Sequence, residues 1–275
     1  MMWSLVIPLV LLLPLASSYN YCHNKTHRCI LEHKEHFMCR LGKFPVYGER
    51  TKFHAIVPST RKFESIILEI LNNLRNSLAG GELRTNANKT FAKAKRMRRL
   101  MWDRELAHMA LSHASTLSFK HSDCRSTKRF PHVGECLAVV APKDKLSITE
   151  ICKRAIHLMF DEYKNVTAPR KLLKRFDPVR DYYVGHFTTI ISDRVSRVGC
   201  GIAVASNCRQ ESFIKFCHFV TCHFDFNNVE SSYVYKAGDP CSSCDDWGTH
   251  GSDRYPNLCM NTGVLFPPDQ GDHGD

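Results

Sequence analysis

Long apolar runs are missing from the chain beyond residue 18, where none approaches the length of about 18 residues that a membrane-spanning helix needs. Residues 5–16 are almost wholly apolar, but they are too few to cross a bilayer comfortably, and the small residues Ala16, Ser17 and Ser18 stand at their end. This pattern predicts a signal peptide over residues 1–18, cleaved after Ser18. We therefore expect a secreted, extracellular protein without a transmembrane segment.

Common hydrolase motifs are absent as well, because the sequence holds neither G-x-S-x-G nor H-E-x-x-H. A clear nucleophile is therefore missing, and Ser122, which follows His121, is the one candidate that a motif suggests. This absence favours a non-enzymatic protein.

Acidic residues are fewer than basic ones, and the formal net charge of +11 favours acidic partners such as sulfated glycans or anionic lipid headgroups. Export from the cell argues against nucleic acid as a partner. The densest basic run is either a solvated loop or a docking patch. It consists of Lys93, Lys95, Arg96, Arg98 and Arg99.

All 13 cysteines follow the predicted cleavage point, and in an oxidising compartment this density indicates disulfides. Because their number is odd, at least one cysteine is expected to be a free thiol or to form a disulfide with another chain. Apart from such a disulfide, we expect a monomer. The sequence also predicts N-glycosylation at Asn24, Asn88 and Asn165, each of which begins an N-x-T sequon.

Residues 19–54 are polar, and Cys22, Cys29 and Cys39 lie there among four histidines. Zinc binding is one interpretation, but exported thiols oxidise and the spacing has no tight C-x-x-C pair. The composition favours an N-terminal arm that is held by disulfides.

Two helices are predicted before residue 120. The first begins after Ser59 or Thr60 and ends at Gly80-Gly81, with apolar residues at helical spacing between them. The second is capped by Asp103 and ends near Phe119, which places His121 just beyond its end.

A third helix is predicted by Ser147 and Glu150, which have the spacing of a capping box. It would place four residues on one line, an apolar stripe that ends in an acid. These residues are Ile151, Ala155, Leu158 and Glu162.

Strands are predicted after residue 180. The run over residues 184–191 is rich in β-forming residues and would be covered on both faces, with His186 inside it. Residues 195–205 and 213–226 follow as a hairpin. Helices followed by an antiparallel sheet indicate an α+β fold, and the end of the chain after Pro267 is expected to be disordered.

Taken in order, several segments resemble the CAP superfamily of cysteine-rich secretory, antigen 5 and pathogenesis-related proteins, and most of all its insect antigen 5 (venom allergen-like) branch. They are Asn20-Tyr21-Cys22, Leu74-Arg75, Gly80-Gly81, Met101-Trp102-Asp103, Glu105-Leu106-Ala107, Lys120-His121-Ser122-Asp123-Cys124, Gly134-Glu135, Leu137-Ala138, Gly185-His186-Phe187-Thr188, Val198-Gly199-Cys200-Gly201, Thr221-Cys222 and Tyr255-Pro256-Asn257-Leu258-Cys259. The joint order of these segments carries the resemblance, since none of them is decisive alone.

The resemblance implies a three-layer α-β-α sandwich, the CAP domain, over residues 55–230. A cysteine-rich N-terminal arm over residues 19–54 and a cysteine-containing C-terminal extension over residues 231–275, both pinned by disulfides, would flank it. It also implies a cleft lined by His121, Glu135, Glu162 and His186. Two imidazoles and two carboxylates suit a divalent cation, zinc if the imidazoles dominate and magnesium or calcium if the oxygens do. No cation is required, because the four groups can also hold one another by hydrogen bonds.

By resemblance, Cys22 pairs with Cys39, Cys29 with Cys124, Cys200 with Cys222, and Cys244 with Cys259. Five cysteines stay unassigned: Cys136, Cys152, Cys208, Cys217 and Cys241. Cys241 and Cys244 have the spacing of a redox C-x-x-C motif, but their place in a tail, and not at the start of a helix, argues against thiol exchange.

The sequence departs from the family pattern near the cleft. Gln and Trp are common after the strand histidine, where this chain has Thr189 and Ser192, and Asn72, Cys136 and His223 also replace usual residues. These changes bear on ligand specificity more than on the fold.

Three functions stay open. The resemblance favours a non-enzymatic extracellular protein that sequesters a lipid or divalent cation or binds a protein partner through its surface. The alternatives are a protease-like hydrolase with a histidine of the cleft as base, and a basic module that adheres to acidic glycans.

Overall fold

The computed structural model describes residues 20–22, 28–208 and 214–266. The predicted signal peptide, the sequon at Asn24 and the predicted disordered end lie outside the described residues.

A single sheet forms the middle of the fold. Its strands are β1 (Lys52–Ile56), β2 (Met101–Trp102), β3 (Gly134–Val140), β4 (Arg197–Ser206) and β5 (Cys217–Phe224). They lie in the order β1-β4-β5-β3 with antiparallel neighbours, and the short β2 pairs parallel to β4. The predicted hairpin of two long strands is confirmed as β4 and β5.

Helices cover both faces of this sheet. They are α1 (Arg28–Leu31), α2 (Arg61–Ala79), α3 (Arg104–Ser115), α4 (Ile148–Phe160), α5 (Pro169–Lys174) and α6 (Gly185–Ile191). Helix α3 packs against β4 and β5 on one face, while α4 and α6 lie against β3 and α2 packs on these two helices. The predicted α-β-α sandwich is therefore confirmed.

Helix α3 approaches the sheet so closely that side chains are excluded from part of β4. A Cβ atom on Gly199 would lie 2.0 Å from the backbone nitrogen of Ala107, and one on Gly201 would lie 2.3 Å from the Cα of Leu111. This contact brings the C-terminal end of α3, and the loop that follows it, over β5.

The predicted helix starts are confirmed. Thr60 and Asp103 accept hydrogen bonds from the first turns of α2 and α3, and Ser147 forms the complete capping box at α4. The predicted end of α3 near Phe119 is wrong, because Leu117 adopts a left-handed backbone (φ 55°) that cannot continue a right-handed helix.

The strand prediction for residues 184–191 is also wrong, since most of this run forms α6. Phe187, Ile190 and Ile191 are fully buried at helical spacing, and packing of this face outweighs the β propensity of the individual residues. The hydroxyls of Thr188 and Thr189 donate to backbone carbonyls one turn earlier, so their polar groups are satisfied within the helix.

The four residues predicted to lie on one line of α4 are only partly buried. Ile151 and Ala155 are fully buried, but Leu158 is 58% exposed and Glu162 lies beyond the helix, in the 3₁₀ helix Asp161–Asn165. Steps of four, three and four residues keep these positions on one side of a helix with 3.6 residues per turn. The later part of the line is open to solvent because Leu158 and Glu162 border an open surface cavity.

Most of the basic run is not a solvated loop. Arg96 and Arg98 are buried, with exposed fractions of 6% and 1%, and both guanidinium groups stack on the ring of Trp247 from the C-terminal extension. Arg96 also pairs with the buried Asp193 at 2.9 Å. Of the five residues, only Lys93 is well exposed.

Five disulfides are present among the described residues: Cys22–Cys39, Cys29–Cys124, Cys200–Cys222, Cys208–Cys217 and Cys244–Cys259. Four are the pairs that the resemblance implies, and Cys208–Cys217 joins two residues left unassigned. None of the helices in the described ranges has the length and apolar character needed to cross a membrane.

Candidate functional site: the cleft of two histidine-glutamate pairs

The first pair consists of His186 and Glu162. His186 lies in the first turn of α6, and its Nδ1 donates to Glu162 Oε1 over 2.8 Å. The other carboxylate oxygen accepts the backbone N–H of Phe187 at 3.0 Å. Because an ionised carboxylate only accepts hydrogen bonds, it fixes the proton of His186 on Nδ1.

The second pair consists of His121, from the loop after α3, and Glu135, from β3. His121 Nδ1 donates to Glu135 Oε1 over 2.9 Å. The side chain of His121 is 55% exposed, whereas that of Glu135 is fully buried. This arrangement leaves Nε2 of His121 on the open side of the ring.

Glu135 accepts three further hydrogen bonds. They come from the backbone N–H and the hydroxyl of Ser122 and from Nε2 of His223, each over 2.9 Å, and Arg125 lies 3.9 Å away. Burial alone would raise the pKa of Glu135, but the charge of Arg125 and the hydrogen bonds from His121 and His223 hold it well below its usual value. Glu135 is therefore an ionised, fully engaged acceptor.

His223 also belongs to this network, although in the sequence it stands out only as a departure from the family pattern. It lies directly opposite Glu135 in the pairing of β3 with β5, and its side chain is fully buried. Burial lowers its pKa to about 4, so the ring is neutral at physiological pH. The register of these two strands would have predicted the pair, but the sequence alone did not provide that register.

The two pairs lie side by side, and we call the site between their imidazole rings the cleft. The ring centroids of His121 and His186 lie 5.9 Å apart, although 65 positions separate the residues in the sequence. Each imidazole is backed by its own carboxylate, and Nε2 of His186 accepts a long hydrogen bond from the backbone nitrogen of Leu137 over 3.5 Å. All four residues that the resemblance implies therefore lie close together in the structure.

Ser122 does not have the surroundings of a nucleophile. It is only 4% exposed, its hydroxyl donates to Glu135, and a guanidinium nitrogen of Arg125 lies 3.3 Å from the same oxygen. An attacking serine needs its oxygen open to substrate and beside a base. The hydroxyl instead helps to hold the carboxylate in place.

An open surface cavity of about 570 Å³ adjoins the first pair. It lies between the end of β3 and the exposed side of α4, with Glu162 at its edge and Leu158 on its wall. Arg154, His157 and Asp161 give this cavity a mixed polar character.

Comparison with known proteins identifies the family. A model of the cysteine-rich secretory protein (CAP) family matches residues 68–224, which is more than half of the chain and includes all four residues of the cleft. The chain belongs to the CAP family. The resemblance derived from the ordered segments is thereby confirmed.

Named relatives place the similarity among antigen 5 and venom allergen proteins. The chain is 36% identical over 151 residues to the antigen 5 like allergen Cul n 1 of Culicoides nubeculosus, a match that covers 54% of this chain and 64% of that relative, just under two thirds of its length. It is 27% identical over 245 residues to venom allergen-1 of Aedes albopictus, covering 87% of each chain.

A solved structure shares the fold. The crystal structure of NaASP2 with Zn²⁺ superposes on this CAP protein with a TM-score of 0.58 and 24% sequence identity, covering 74% of this chain and 98% of the other. The agreement supports the layered architecture described above.

Proposed function

We propose that this chain is a secreted, non-enzymatic CAP protein that binds a zinc ion between His121 and His186. One observation carries the proposal: each of the two facing imidazoles donates its Nδ1 proton to a carboxylate, through His121 Nδ1 to Glu135 and His186 Nδ1 to Glu162. This is the pattern in which a second carboxylate shell orients histidine ligands for a metal.

The donor atoms favour zinc over magnesium or calcium. Both oxygens of Glu135 and both oxygens of Glu162 already accept hydrogen bonds, so the Nε2 atoms of the two imidazoles are left as donors for a cation. Nε2 of His186 accepts one long hydrogen bond from the backbone N–H of Leu137, which a bound zinc ion would replace. Neutral imidazole suits zinc, while magnesium and calcium prefer oxygen ligands. In this proposal Glu135 and Glu162 act through the histidines.

Three further points support the proposal. The crystal structure of NaASP2 is one with Zn²⁺, which makes zinc the first ion to test here. The related allergens fit an exported protein, as do the five disulfides. Asn88 and Asn165 are both exposed, as a glycosylated asparagine must be.

We expect zinc to bind the purified protein with one equivalent per chain, and His121→Ala with His186→Ala to abolish that binding. The measurement is calorimetric titration with zinc alone at neutral pH, because the affinity of a protein site for a metal depends on pH. His108→Ala is the matched control, because His108 is exposed on α3 and away from the cleft.

Equal heats from the wild type and the double variant would contradict the zinc site. Glu162→Gln refines the test, because it removes the charge that orients His186 while leaving both imidazoles in place. We expect a loss of zinc affinity of about 10-fold to 100-fold from this variant, the range typical of partners that orient a metal ligand.

The alternative functions receive less support. The buried hydroxyl of Ser122 speaks against a hydrolase built on it. The burial of Arg96 and Arg98 removes two charges from the proposed glycan-docking patch. Elution from heparin at no more than physiological salt would argue further against the glycan function, since surface charge pairs are weakened by salt.

A further inference from the structure

Three cysteine sulfur atoms lie together in the C-terminal extension. The Sγ atoms of Cys241, Cys244 and Cys259 are all within 4.8 Å of one another, and Cys244 and Cys259 are joined as a disulfide. Cys241 is a free thiol.

Among the described residues there are three free cysteines, and Cys241 differs from the other two in its surroundings. Cys136 and Cys152 are fully buried in the core of the sandwich, whereas Cys241 is partly exposed. A thiol, a disulfide within 4.8 Å of it and access to water are the components of a thiol–disulfide exchange reaction.

We propose that Cys241, Cys244 and Cys259 form a thiol–disulfide exchange site, in which one disulfide moves among the three sulfur atoms. The C-x-x-C spacing of Cys241 and Cys244 could not show that Cys259 lies beside them. Cys259 forms an isolated β-bridge with Gly251, and Gly251 also lies next to the side chain of Cys241.

The reaction balances without an oxidant or reductant. Cys241 loses its proton to solvent, and its thiolate forms a new S–S bond with Cys244 Sγ. The Cys244–Cys259 bond breaks, and Cys259 leaves as a thiolate that takes up a proton. Attack on Cys259 releases Cys244 in the same way, so each outcome holds one disulfide and one thiol.

The surroundings of Cys241 make the exchange slow at neutral pH and faster at higher pH. Its Sγ lies 3.5 Å from the carbonyl oxygen of Pro256, to which the thiol donates. Burial raises the pKa of the thiol, and a backbone hydrogen bond from Ser252 only partly offsets that effect. Because the thiolate is the attacking species, the exchange rate follows the thiolate fraction.

Exchange would change the covalent closure of a loop within the extension. The Cys244–Cys259 disulfide closes a loop with a sequence separation of 15, and this loop contains Trp247, which lies under Arg98 at 3.8 Å from the guanidinium carbon. A Cys241–Cys244 disulfide would open that loop and leave Cys259 as the free thiol. The site would thus regulate the covalent closure of the loop that carries Trp247.

The test maps the position of the free thiol in the purified full-length protein. Samples are incubated without reductant at neutral and at mildly alkaline pH, quenched with acid, denatured in acid, alkylated with N-ethylmaleimide, and digested with pepsin for mass spectrometry. We expect the label in wild type to be divided among Cys241, Cys244 and Cys259, approaching roughly one equivalent in total. The share on Cys244 and Cys259 should grow with incubation time, and faster at the higher pH.

Two variants give the controls. Cys241→Ser should remove all label from Cys244 and Cys259, whereas Cys152→Ser should leave the division unchanged. Label confined to Cys241 in the wild type at every pH would overturn the proposal. Label spread to Cys200 and Cys222 to the same extent would also overturn it, because the exchange would then be general scrambling.

Discussion

Arg75→Met is expected to lower the free energy of unfolding by about 4 kcal/mol, or to prevent folding altogether. The side chain of Arg75 is fully buried, and its hydrogen bonds all go to backbone carbonyls of other segments. Removing it leaves several buried acceptors without a donor, and each such group costs about 1 to 3 kcal/mol. Methionine fills a similar volume, so the loss reports hydrogen bonds more than packing.

The contacts show why the effect should be large. Nε and Nη2 of Arg75 donate to the carbonyl of Arg98, and Nη1 donates to the carbonyls of Ile190 and Ser192. Arg75 thereby joins three parts of the fold: helix α2, the segment before β2, and the end of α6. Its role is to hold together the helical layer that carries His186.

Denaturant unfolding at neutral pH measures the expected loss. Arg61→Met is the matched control, since Arg61 is exposed on the same helix and should change the unfolding free energy by no more than about 0.5 kcal/mol. If Arg75→Met lowered the free energy of unfolding by no more than the control does, water or rearranged donors would be satisfying these carbonyls.

The helix starts were predictable from the sequence because they depend on local chemistry. Thr60, Asp103 and Ser147 each accept backbone hydrogen bonds from their own first turn, so the signal and the structure lie within a few residues. The run over residues 184–191 could not be predicted in this way. Its β-forming composition is a weak preference, and burial against distant strands decided the helix.

The same distinction between local and distant contacts applies to the residues of the candidate site. His121, Glu135, Glu162 and His186 were named through a family resemblance, since nothing in their spacing brings them together. The role of Arg75 and the pairing of His223 with Glu135 were not predicted. Both depend on contacts across many positions of sequence, namely carbonyls of other segments for Arg75 and the β3–β5 register for His223.

Titration of His223 is expected to lower the free energy of unfolding by about 3 kcal/mol as the pH falls from 6.5 to 4. Burial lowers its pKa in the folded state to about 4, against about 6.5 in an unfolded chain. The unfolded state therefore binds more protons in this interval, so the free energy of unfolding falls as the pH falls through it. Below the folded pKa this contribution stops changing.

The geometry around His223 supports the neutral ring. Nε2 donates to Glu135, and Nδ1 is buried with no hydrogen-bond partner within the described part of the chain. A second proton would have to sit on Nδ1, beside the positive charge of Arg125 and near His113, whose pKa burial also lowers. The rings of Phe37 and His223 pack in a T-shaped arrangement, and the Phe37 side chain has no oxygen or nitrogen atom that could accept this proton.

His223→Gln separates titration from hydrogen bonding, because the glutamine amide can donate to Glu135 but does not ionise. We expect this variant to keep most of its stability at pH 7 and to lose about 2 to 3 kcal/mol less than wild type on acidification. Urea unfolding across this pH range, with a chelator present, measures both slopes. His108→Gln, exposed on α3, should follow wild type. Parallel slopes for wild type and His223→Gln would mean that the pKa of His223 is not lowered in the folded protein, because the ring would then take up its proton alike in both states.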